Sequence, residues 1–221
     1  AINSNFRAST GFKFKYSSQK VITDNEWTRV MTFLERAVGR EQSNWTQNKV
    51  TKVEFSRSKL SDHQFSELCN IISKYPSVQS LTLTGLTGSY DIEDWTPLGL
   101  LVNLKRLFLS NNNIVDITPL ANLVNLEILD IRHTQIVDIT PLAYLVNLET
   151  LDNNGNNVVD ITPLAQLVNL ETLDISNNKI VDITPLTNLV NLKILHIHSN
   201  KIVDITPLTN LVNLETLDIH S

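Results

Sequence analysis

Three histidines in the last part of the chain have the residue type and spacing for metal or proton chemistry. His196 and His198 lie two residues apart, so in a strand they point to the same side, and His220 follows His198 by 22 residues. Asp174 and Asp218 lie 22 residues before and after His196. Imidazoles with a carboxylate can hold Zn²⁺ in an open tetrahedral site. An exposed strand surface lacks the hydrogen-bond partners that orient metal ligands, so we predict surface contacts, with no metal and no cofactor.

No catalytic group of residues is evident elsewhere in the 221 residues. The single cysteine, Cys69, lies on an apolar helical stripe, and six glycines leave little material for a phosphate-binding loop. No Ser-His-Asp set has supporting spacing. The sequence therefore predicts a protein that is not an enzyme.

A segment of 22 residues, repeated almost unchanged, must position these side chains. Its opening leucines are Leu104, Leu126, Leu148, Leu170, Leu192 and Leu214. A fixed period of roughly 20–29 residues with the pattern L-x-x-L-x-L-x-x-N-x-I is typical of leucine-rich repeats. Each copy has one apolar face, which it can bury only by stacking on the next copy. The chain is therefore predicted to form an α/β solenoid with a parallel sheet.

Within one copy, the alternation of residues separates core from surface. Leu173 and Ile175 share one face of a short strand, and the residues between and after them share the other. Asn178 is expected to turn inward and to bond backbone groups. In the turn that follows, we predict that Thr184 caps a short 3₁₀ turn and that Pro185 occupies its first position.

This repeat resembles the 22-residue leucine-rich repeat of the internalins, whose copies carry similar N-x-I-x-D-I-x-P-L-x-x-L-x-x-L runs. The resemblance covers residues 104–221 and implies a bacterial, right-handed solenoid with a concave parallel sheet that binds other proteins, and short 3₁₀ turns on the convex side.

Two rows of valine depart from the internalin pattern. They are Val115, Val137, Val159, Val181 and Val203, where internalins usually carry Ser or Thr, and Val124, Val146, Val168, Val190 and Val212. We favour the interpretation that these β-branched side chains pack along the solenoid. An apolar docking stripe is the alternative.

Residues 50–103 form two longer and less regular copies of the repeat. Ser61 and Gln64 have the spacing of a helix capping box, and an apolar stripe follows: Phe65, Leu68, Cys69 and Ile72. The first of these copies resembles the strand–helix repeat of ribonuclease inhibitor, so the solenoid is expected to open with a thicker coil. Residues 85–90 are predicted to form a protruding loop.

Residues 1–49 show no repeat and are predicted to form an N-terminal cap of one strand and one helix. The helix should begin with a capping box from Thr23 to Glu26 and stop at Gly39. Residues 104–221 hold five complete copies and one truncated last strand. The open sheet edge there predicts a continuation of the natural chain or a second molecule that covers the end.

Positions at which nearly identical copies differ fall on the outward side of the strands, in four columns. The first column is Lys105, Glu127, Glu149, Glu171, Lys193 and Glu215; the second is Arg106, Ile128, Thr150, Thr172, Ile194 and Thr216. The third is Phe108, Asp130, Asp152, Asp174, His196 and Asp218; the fourth is Ser110, Arg132, Asn154, Ser176, His198 and His220. Their carboxylates outnumber their lysines and arginines, which favours either a docking site for a basic patch or a solvated acidic face produced by copying one unit.

The predicted partner contacts are Arg106, Phe108, Asp130, Arg132, Asp152, Asp174, His196 and His198. Phe108 and the arginines are the strongest anchor candidates, because aromatic and arginine side chains dominate interface hot spots. The one candidate for a metal, which we disfavour, is the group of His196, His198 and His220.

One copy departs from the repeat in its core. Asn153 stands where other copies have an inward Ile or Leu, and a buried amide without partners costs roughly 1–3 kcal/mol. With Gly155 nearby, this strand is expected to be locally distorted. We favour the interpretation that Asn153 is a structural imperfection and not part of a functional depression in the surface.

The net charge of −5 argues against nucleic acid as a partner, and no run of about 20 apolar residues exists that could insert into a membrane. The leading hypothesis is a bacterial protein-binding module that is secreted, on the cell surface or delivered into a host cell, rather than in the bacterial cytoplasm. The expected partner is a protein with a basic patch, and the uncapped last repeat could also self-associate end to end. The alternatives are a regulatory subunit or inhibitor of an enzyme, and the recognition domain of a larger enzyme.

Overall fold

The computed structural model describes six segments of the chain: residues 6–9, 13–17, 23–38, 51–56, 59–86 and 92–220. In the first two segments, and at residues 33 and 35–38, only the backbone is described. The predicted helix stop at Gly39 and most of the predicted loop at 85–90 lie outside the described residues.

Ten strands form one sheet in chain order. They are β1 (Phe6–Ser9), β2 (Lys13–Ser17), β3 (Lys52–Ser56), β4 (Ser80–Thr84), β5 (Arg106–Phe108), β6 (Ile128–Asp130), β7 (Thr150–Asp152), β8 (Thr172–Asp174), β9 (Ile194–His196) and β10 (Thr216–Asp218). β1 and β2 are antiparallel, and every later pair is parallel. From β5 on, neighbours pair at an offset of 22 residues, so Leu129, Leu151 and Leu173 lie side by side. The predicted leucine-rich repeat solenoid is confirmed.

Because neighbouring strands pair at an offset of one repeat, residues at the same position of successive repeats lie side by side and form a row in the core. The leucines at the middle of β5 to β9 are fully buried, and the opening leucines from Leu104 to Leu192 are at most 1% exposed. Burial of a leucine stabilises a fold by roughly 1.5–3 kcal/mol. Because these leucines are buried between neighbouring coils, the stacking of coils is a main source of stability. No coil could retain these rows without its neighbours.

The helix α1 (Asp24–Val38) begins with the predicted capping box. The Glu26 N–H donates to Thr23 Oγ1 at 3.3 Å, and the Thr23 N–H donates to the Glu26 carboxylate at 3.5 Å. Its apolar side chains are buried: Trp27, Val30, Met31 and Leu34. The Trp27 indole N–H donates to Glu67 at 2.6 Å, and its ring lies 6.1 Å from that of Phe55. The helix therefore packs on the first coil. The described part of the N-terminal region has two antiparallel strands, β1 and β2, where the sequence analysis expected one.

The helix α2 (Asp62–Ser73) thickens the first coil. Ser61 and Gln64 form the predicted capping box, with both hydrogen bonds 3.2 Å long. Cys69 is fully buried, and burial raises the pKa of its thiol far above the usual range, so it is held as an unreactive thiol. The likeness of this coil to ribonuclease inhibitor stays an expectation.

Short 3₁₀ turns form the side opposite the sheet. They span Thr96–Leu100, Thr118–Asn122, Thr140–Tyr144, Thr162–Gln166, Thr184–Leu186 and Thr206–Asn210. The prediction that Thr184 caps its turn is wrong, because Thr184 lies inside the turn and donates its N–H to Asp182 Oδ1 at 2.8 Å. The aspartate two residues earlier is the side chain that reaches the free N–H. Pro185 stands at the start of the turn, as predicted.

A left-handed residue follows the strand in five successive coils. Its φ lies between 52° and 69° at Asn111, His133, Gly155, Asn177 and Ser199, and Gly85 has the same conformation after β4, with a φ of 62°. Glycine is the residue that adopts this conformation at least cost, so Gly155 fits a turn that the other coils also make. The strand before it pairs in register with both neighbours. The expected local distortion is therefore wrong.

Inward asparagines connect four coils to the preceding one, and Thr134 stands at this position in the coil of β6. Asn178 donates from Nδ2 to the carbonyl of Asn153 at 2.9 Å and to that of Ile175 at 3.1 Å, and its Oδ1 accepts from the Val158 N–H at 3.0 Å. The same pattern recurs at Asn112, Asn156 and Asn200. This confirms the predicted asparagine ladder.

A second asparagine ladder was not predicted. Each member donates from Nδ2 to a valine carbonyl of the preceding coil at 2.8–2.9 Å: Asn125, Asn147, Asn169, Asn191 and Asn213. These carbonyls lie where the chain returns to the sheet and would otherwise be without a partner in the ladder of strands. The coils are thus hydrogen-bonded at two positions outside the sheet.

The two valine rows are partly covered by the coil that follows each of them. Val115, Val137, Val159 and Val181 are 52–57% exposed, whereas Val203, in the last described turn, is 90% exposed. The second row shows the same contrast, with Val212 more exposed than its counterparts. Since the chief difference is the next coil, the valines pack along the solenoid, which supports the favoured interpretation.

Asn153 is fully buried at the position where neighbouring coils bury Ile131 and Ile175. Its Oδ1 accepts from Asn156 Nδ2 at 2.7 Å, but its own Nδ2 has no partner. A buried donor without an acceptor costs roughly 1–3 kcal/mol. The imperfection predicted from the sequence is therefore local to one amide.

We predict that Asn153→Ile raises the free energy of unfolding by about 1–2 kcal/mol, because it removes the unpaired donor and restores the residue of adjacent coils. Urea denaturation measures the change. As a control, Asn178→Leu should lower the free energy of unfolding by about 1–3 kcal/mol, because backbone groups of Asn153 and Val158 lose their partner. A destabilised Asn153→Ile variant would mean that the bond to Asn156 outweighs the unpaired donor.

Candidate binding face

The register of the sheet brings most of the predicted contacts together. Phe108, Asp130, Asp152, Asp174 and His196 are paired neighbours in one row from β5 to β9. Parallel strands lie about 4.8 Å apart, so the row is about 19 Å long. All but Asp130 are partly accessible on the concave face.

Part of the fourth column is buried, contrary to the prediction. Ser110 is 4% exposed and Ser176 is not exposed at all. Both precede the left-handed residue, and the longer side chains of Arg132, Asn154 and His198 occupy the same position in other coils. A short serine at this position is therefore covered, and the column offers a surface only through its longer members.

A hollow of about 690 Å³ lies at the N-terminal end of the face. Phe108, Asp130 and Arg132, three of the predicted contacts, line it, together with Lys52 and Glu54 of β3. Lys52 Nζ lies 5.7 Å from the centroid of the Phe108 ring, a cation–π distance. The hollow joins an aromatic surface to two carboxylates and two cations, the mixture typical of interface anchor sites.

Lys52 and Glu54 were missed by the sequence analysis, which began the face at Lys105. β3 and β4 continue the same columns, with Lys52 in register with Ser80 and then Arg106. The signal was present, because the copy that starts at residue 50 fits the same alternation of core and surface residues.

Arg132 joins two aspartates of the row. Its guanidinium lies 3.3 Å from Asp130 and 3.2 Å from Asp152. Burial raises the pKa of the Asp130 carboxyl above its usual range, although hydrogen bonding and charge from Arg132 oppose this. Burial also raises the pKa of Asp152, and repulsion from Asp130 and Asp174 adds to it. Asp130 is therefore a buried support for Arg132 and not the exposed contact that was predicted.

Salt bridges across coils pair part of the first column. Lys105 Nζ lies 2.5 Å from Glu127, and Lys193 Nζ lies 2.8 Å from Glu171. Glu149, between the two pairs, has no cation within 4 Å among the described residues. A polar groove of about 830 Å³ runs along this column and the second asparagine ladder, the one that includes Asn147 and Asn169.

The three histidines do not converge on a common point. The rings of His198 and His220 are stacked, with centroids 4.8 Å apart and planes 3° apart. Asp218 lies 2.5 Å from His220 Nδ1 and 3.7 Å from His196 Nδ1, while His198 Nδ1 lies 3.2 Å from Ser199 Oγ. In the described segments, no group of three or more His, Cys, Asp or Glu could hold a metal ion. The disfavoured zinc candidate is therefore not formed.

Two of these histidines lower the pKa of the Asp218 carboxyl. Burial raises the pKa of this carboxyl. The charges of His220 and His198 and the hydrogen bonds from His220 lower this pKa by more than burial raises it, so the pKa of Asp218 lies below the usual range. No helix of the described segments is long and apolar enough to cross a membrane.

Known proteins share this arrangement of coils, turns and concave strands. A family profile described as Leucine Rich repeats (2 copies) matches residues 102–144 and 146–188. The crystal structure of internalin C2 from Listeria monocytogenes is 31% identical, with a TM-score of 0.75, over 94% of this chain and 80% of that one. The chain belongs to the internalin family.

Other structures extend the comparison beyond this internalin chain. An internalin (InlF) from Listeria monocytogenes is 34% identical with a TM-score of 0.68, over 77% of this chain and 47% of that one, so the chain spans about half of its length. The plant peptide hormone receptor RGFR1 in complex with RGF2 is 24% identical with a TM-score of 0.58, over 75% of this chain and 27% of that one, and shares the fold alone. No curated protein sequence matches the chain.

We predict that Asp152→Asn stabilises this internalin at pH 7 by about 0.5 kcal/mol, because like charges opposite one another in a sheet are destabilising. A carboxyl whose pKa is raised in the folded state costs stability above that pKa and costs none below its ordinary value near 3.8. The gain should therefore vanish near pH 3. Denaturant titrations at the two pH values measure it.

The matched control is Asp160→Asn, in the turn of the same coil. Hydrogen bonds from the Thr162 side chain and N–H lower the pKa of Asp160, so its charge stabilises the fold above the ordinary pKa. This variant should be less stable than the parent at pH 7. Equal effects of the two variants would contradict the assignment of opposite pKa shifts.

Proposed function

We propose that this internalin-family chain binds another protein on its concave face. The observation that carries the proposal is the row from Phe108 to His196, in which three aspartates of the concave face lie between a phenylalanine and a histidine of otherwise similar copies. The shared architecture does not require Phe108 or His196, because the rows of leucines and the second asparagine ladder are the same in the copies on either side of them. The contacts are Arg106, Phe108, Arg132, Asp152, Asp174, His196 and His198, with Asp130 supporting Arg132.

The hollow around Phe108 serves as the anchor of the interface. Phe108 is only partly buried, so its ring can be desolvated further by a partner. Arg132 is held between two carboxylates, so its guanidinium is ordered before binding and loses little side-chain entropy. An aromatic ring beside an ordered arginine has the composition of an interface hot spot.

The partner is a protein with a basic patch. The centre of the face holds four carboxylates and one guanidinium, that of Arg132, so its net charge is −3. The carboxylates are those of Asp130, Glu149, Asp152 and Asp174. A concave surface of one sign concentrates partners of the opposite sign and speeds their association.

The biological setting that fits is a secreted, surface or host-directed role in a bacterium. The support is the relationship to two Listeria monocytogenes internalins, together with the absence of catalytic groupings noted in the sequence. Action as an effector or virulence protein would then follow from binding and not from catalysis.

Self-association through the last described coil is a second, weaker candidate. Ile205, Leu217 and Ile219 are 42–50% exposed there, whereas their counterparts in the preceding coil are buried. A second copy or further repeats would cover them equally well. Sedimentation velocity tests it: a concentration-dependent dimer that Leu217→Lys abolishes is expected, and a monomer at high micromolar concentration would contradict it.

We predict that the triple variant with Asn at residues 130, 152 and 174 loses partner capture by at least about tenfold, because the face loses three negative charges. Capture from candidate host and bacterial lysates by immobilised protein, quantified by mass spectrometry, measures the loss. The isosteric amides keep the hydrogen bonds from the backbone N–H groups of Arg132, Asn154 and Ser176.

The control changes the charge by the same amount on the opposite side. Asn122→Lys, Tyr144→Lys and Gln166→Lys stand at one exposed position of three successive 3₁₀ turns. This triple variant should capture the same proteins as the parent. If the turn-side variant loses them and the concave variant keeps them, the concave-face assignment is wrong.

We also predict that Phe108→Ala weakens binding to the captured partner by at least about 2 kcal/mol, or roughly thirtyfold, while Phe108→Tyr weakens it much less. Calorimetry with the purified partner measures both. Loss of an aromatic anchor explains this difference, whereas a purely electrostatic interface would leave both variants near the parent.

A further inference from the structure

The second column of the concave face is arranged symmetrically about the boundary between β7 and β8. In the second column Thr150 and Thr172 face each other across this boundary, and Ile128 and Ile194 flank them on β6 and β9. In the first column the paired lysines Lys105 and Lys193 stand outside three glutamates. From β5 to β9 the glutamates of the first column are therefore bounded on both sides by lysines, and the carboxylates Glu215 and Asp218 follow beyond them.

From β6 to β9, the negative charge that remains after internal pairing lies beside this boundary. Glu127 and Glu171 are matched by lysines, and Asp130 and Asp152 share Arg132. Asp174 contacts amide groups only: Asn154 Nδ2 lies 3.4 Å from both of its oxygens, and the Ser176 N–H donates to it at 2.9 Å. No described cation lies within salt-bridge distance of Asp174 or of the exposed Glu149.

Two isoleucines place an apolar side chain on each side of this acidic centre. Ile128 and Ile194 are half-buried on the outward side, at a position where the copies between them carry threonine. An isoleucine there contributes nothing to the core, which lies on the other side of the strand. Its exposed methyl groups can be desolvated by an apolar group of a partner.

We propose that the face from β6 to β9 takes an extended basic segment of the partner that crosses the strands. A Lys or Arg of the segment lies between Glu149 and Asp174, and apolar side chains two residues before and two residues after it contact Ile128 and Ile194. This proposal rests on the proposed function and specifies the segment that the concave face recognises.

The spacing of the face fits such a segment. Ile128 and Ile194 are three strand spacings apart, about 14 Å. Four residues of an extended chain span about 13–14 Å, and side chains at alternate residues point to the same side. An apolar–x–Lys–x–apolar sequence therefore places its three recognised side chains over the two isoleucines and the acidic centre at once.

The experiment uses ¹⁵N-labelled protein and synthetic capped peptides that contain Leu-Thr-Lys-Thr-Leu between glycine-serine flanks. We expect amide shifts on β6 to β9 and a dissociation constant that rises at least about fivefold when one further residue is inserted on each side of the lysine. A glutamate in place of the lysine should abolish the shifts. Shifts centred on the Phe108 hollow or on the turn side, or an equal affinity for both spacings, would overturn the proposal.

Variants of the protein use residues that other copies already carry. Ile128→Thr with Ile194→Thr repeats the threonine of β7 and β8, and Glu149→Gln with Asp174→Asn removes the unpaired charges; each pair should weaken peptide binding about fivefold to tenfold. Glu149→Gln is also made alone, and Glu215→Gln is its matched control, because it removes an exposed carboxylate of the same column, immediately before β10 and outside the site, that has no salt bridge among the described residues. A loss in Glu215→Gln equal to that in Glu149→Gln would reduce the effect to net charge and overturn the proposal.

Failure of this proposal can be separated from failure of the proposed function. If the concave triple variant loses the partner while the peptide series shows no dependence on spacing, the concave face binds but not through this segment. If neither the triple variant nor Phe108→Ala affects the partner, the concave-face function fails as well.

Discussion

The structure depends on the contact between one coil and the next. A copy of 22 residues has a single apolar face and two sets of backbone groups that its own turns do not satisfy. Leu173 is buried between the leucines of its two neighbours, and Asn178 and Asn169 each bond a carbonyl of the preceding coil. Because all these contacts need the same residue at the same position, the spacing between copies is constrained more strongly than any single side chain.

That constraint explains why the outward columns of the sheet are free to vary. A change at Phe108 or His196 disturbs no row of leucines and neither ladder, whereas a change of length would disturb all of them. The concave strands therefore combine a rigid backbone with unconstrained side chains, which is the combination that a binding surface needs. The convex turns offer less freedom, since their aspartates, prolines and leucines are each used to form the turn.

The fold could be predicted from the sequence because its determinants are periodic. The leucine rows, the Asn178 ladder and the capping boxes at Thr23 and Ser61 rest on local spacing, and the structure has all of them. The errors fell where a side chain depends on its neighbours in other coils. Ser176 is buried by adjacent coils, and Asp130 is buried beneath Arg132. A single copy of the repeat contains none of this information.

Two rows of aspartate with the same 22-residue spacing have opposite effects on stability. Hydrogen bonds from threonines lower the pKa of the turn-side carboxyls, as at Asp160, so their charge stabilises the fold. Burial raises the pKa of Asp130 and Asp152 on the concave side, so their charge costs stability at neutral pH. Threonine or serine would fill those outward positions without this cost, since the core does not depend on them. Retention of an unfavourable charge on a rigid, concave surface is what a site for a cationic partner requires, because the partner relieves the repulsion when it binds.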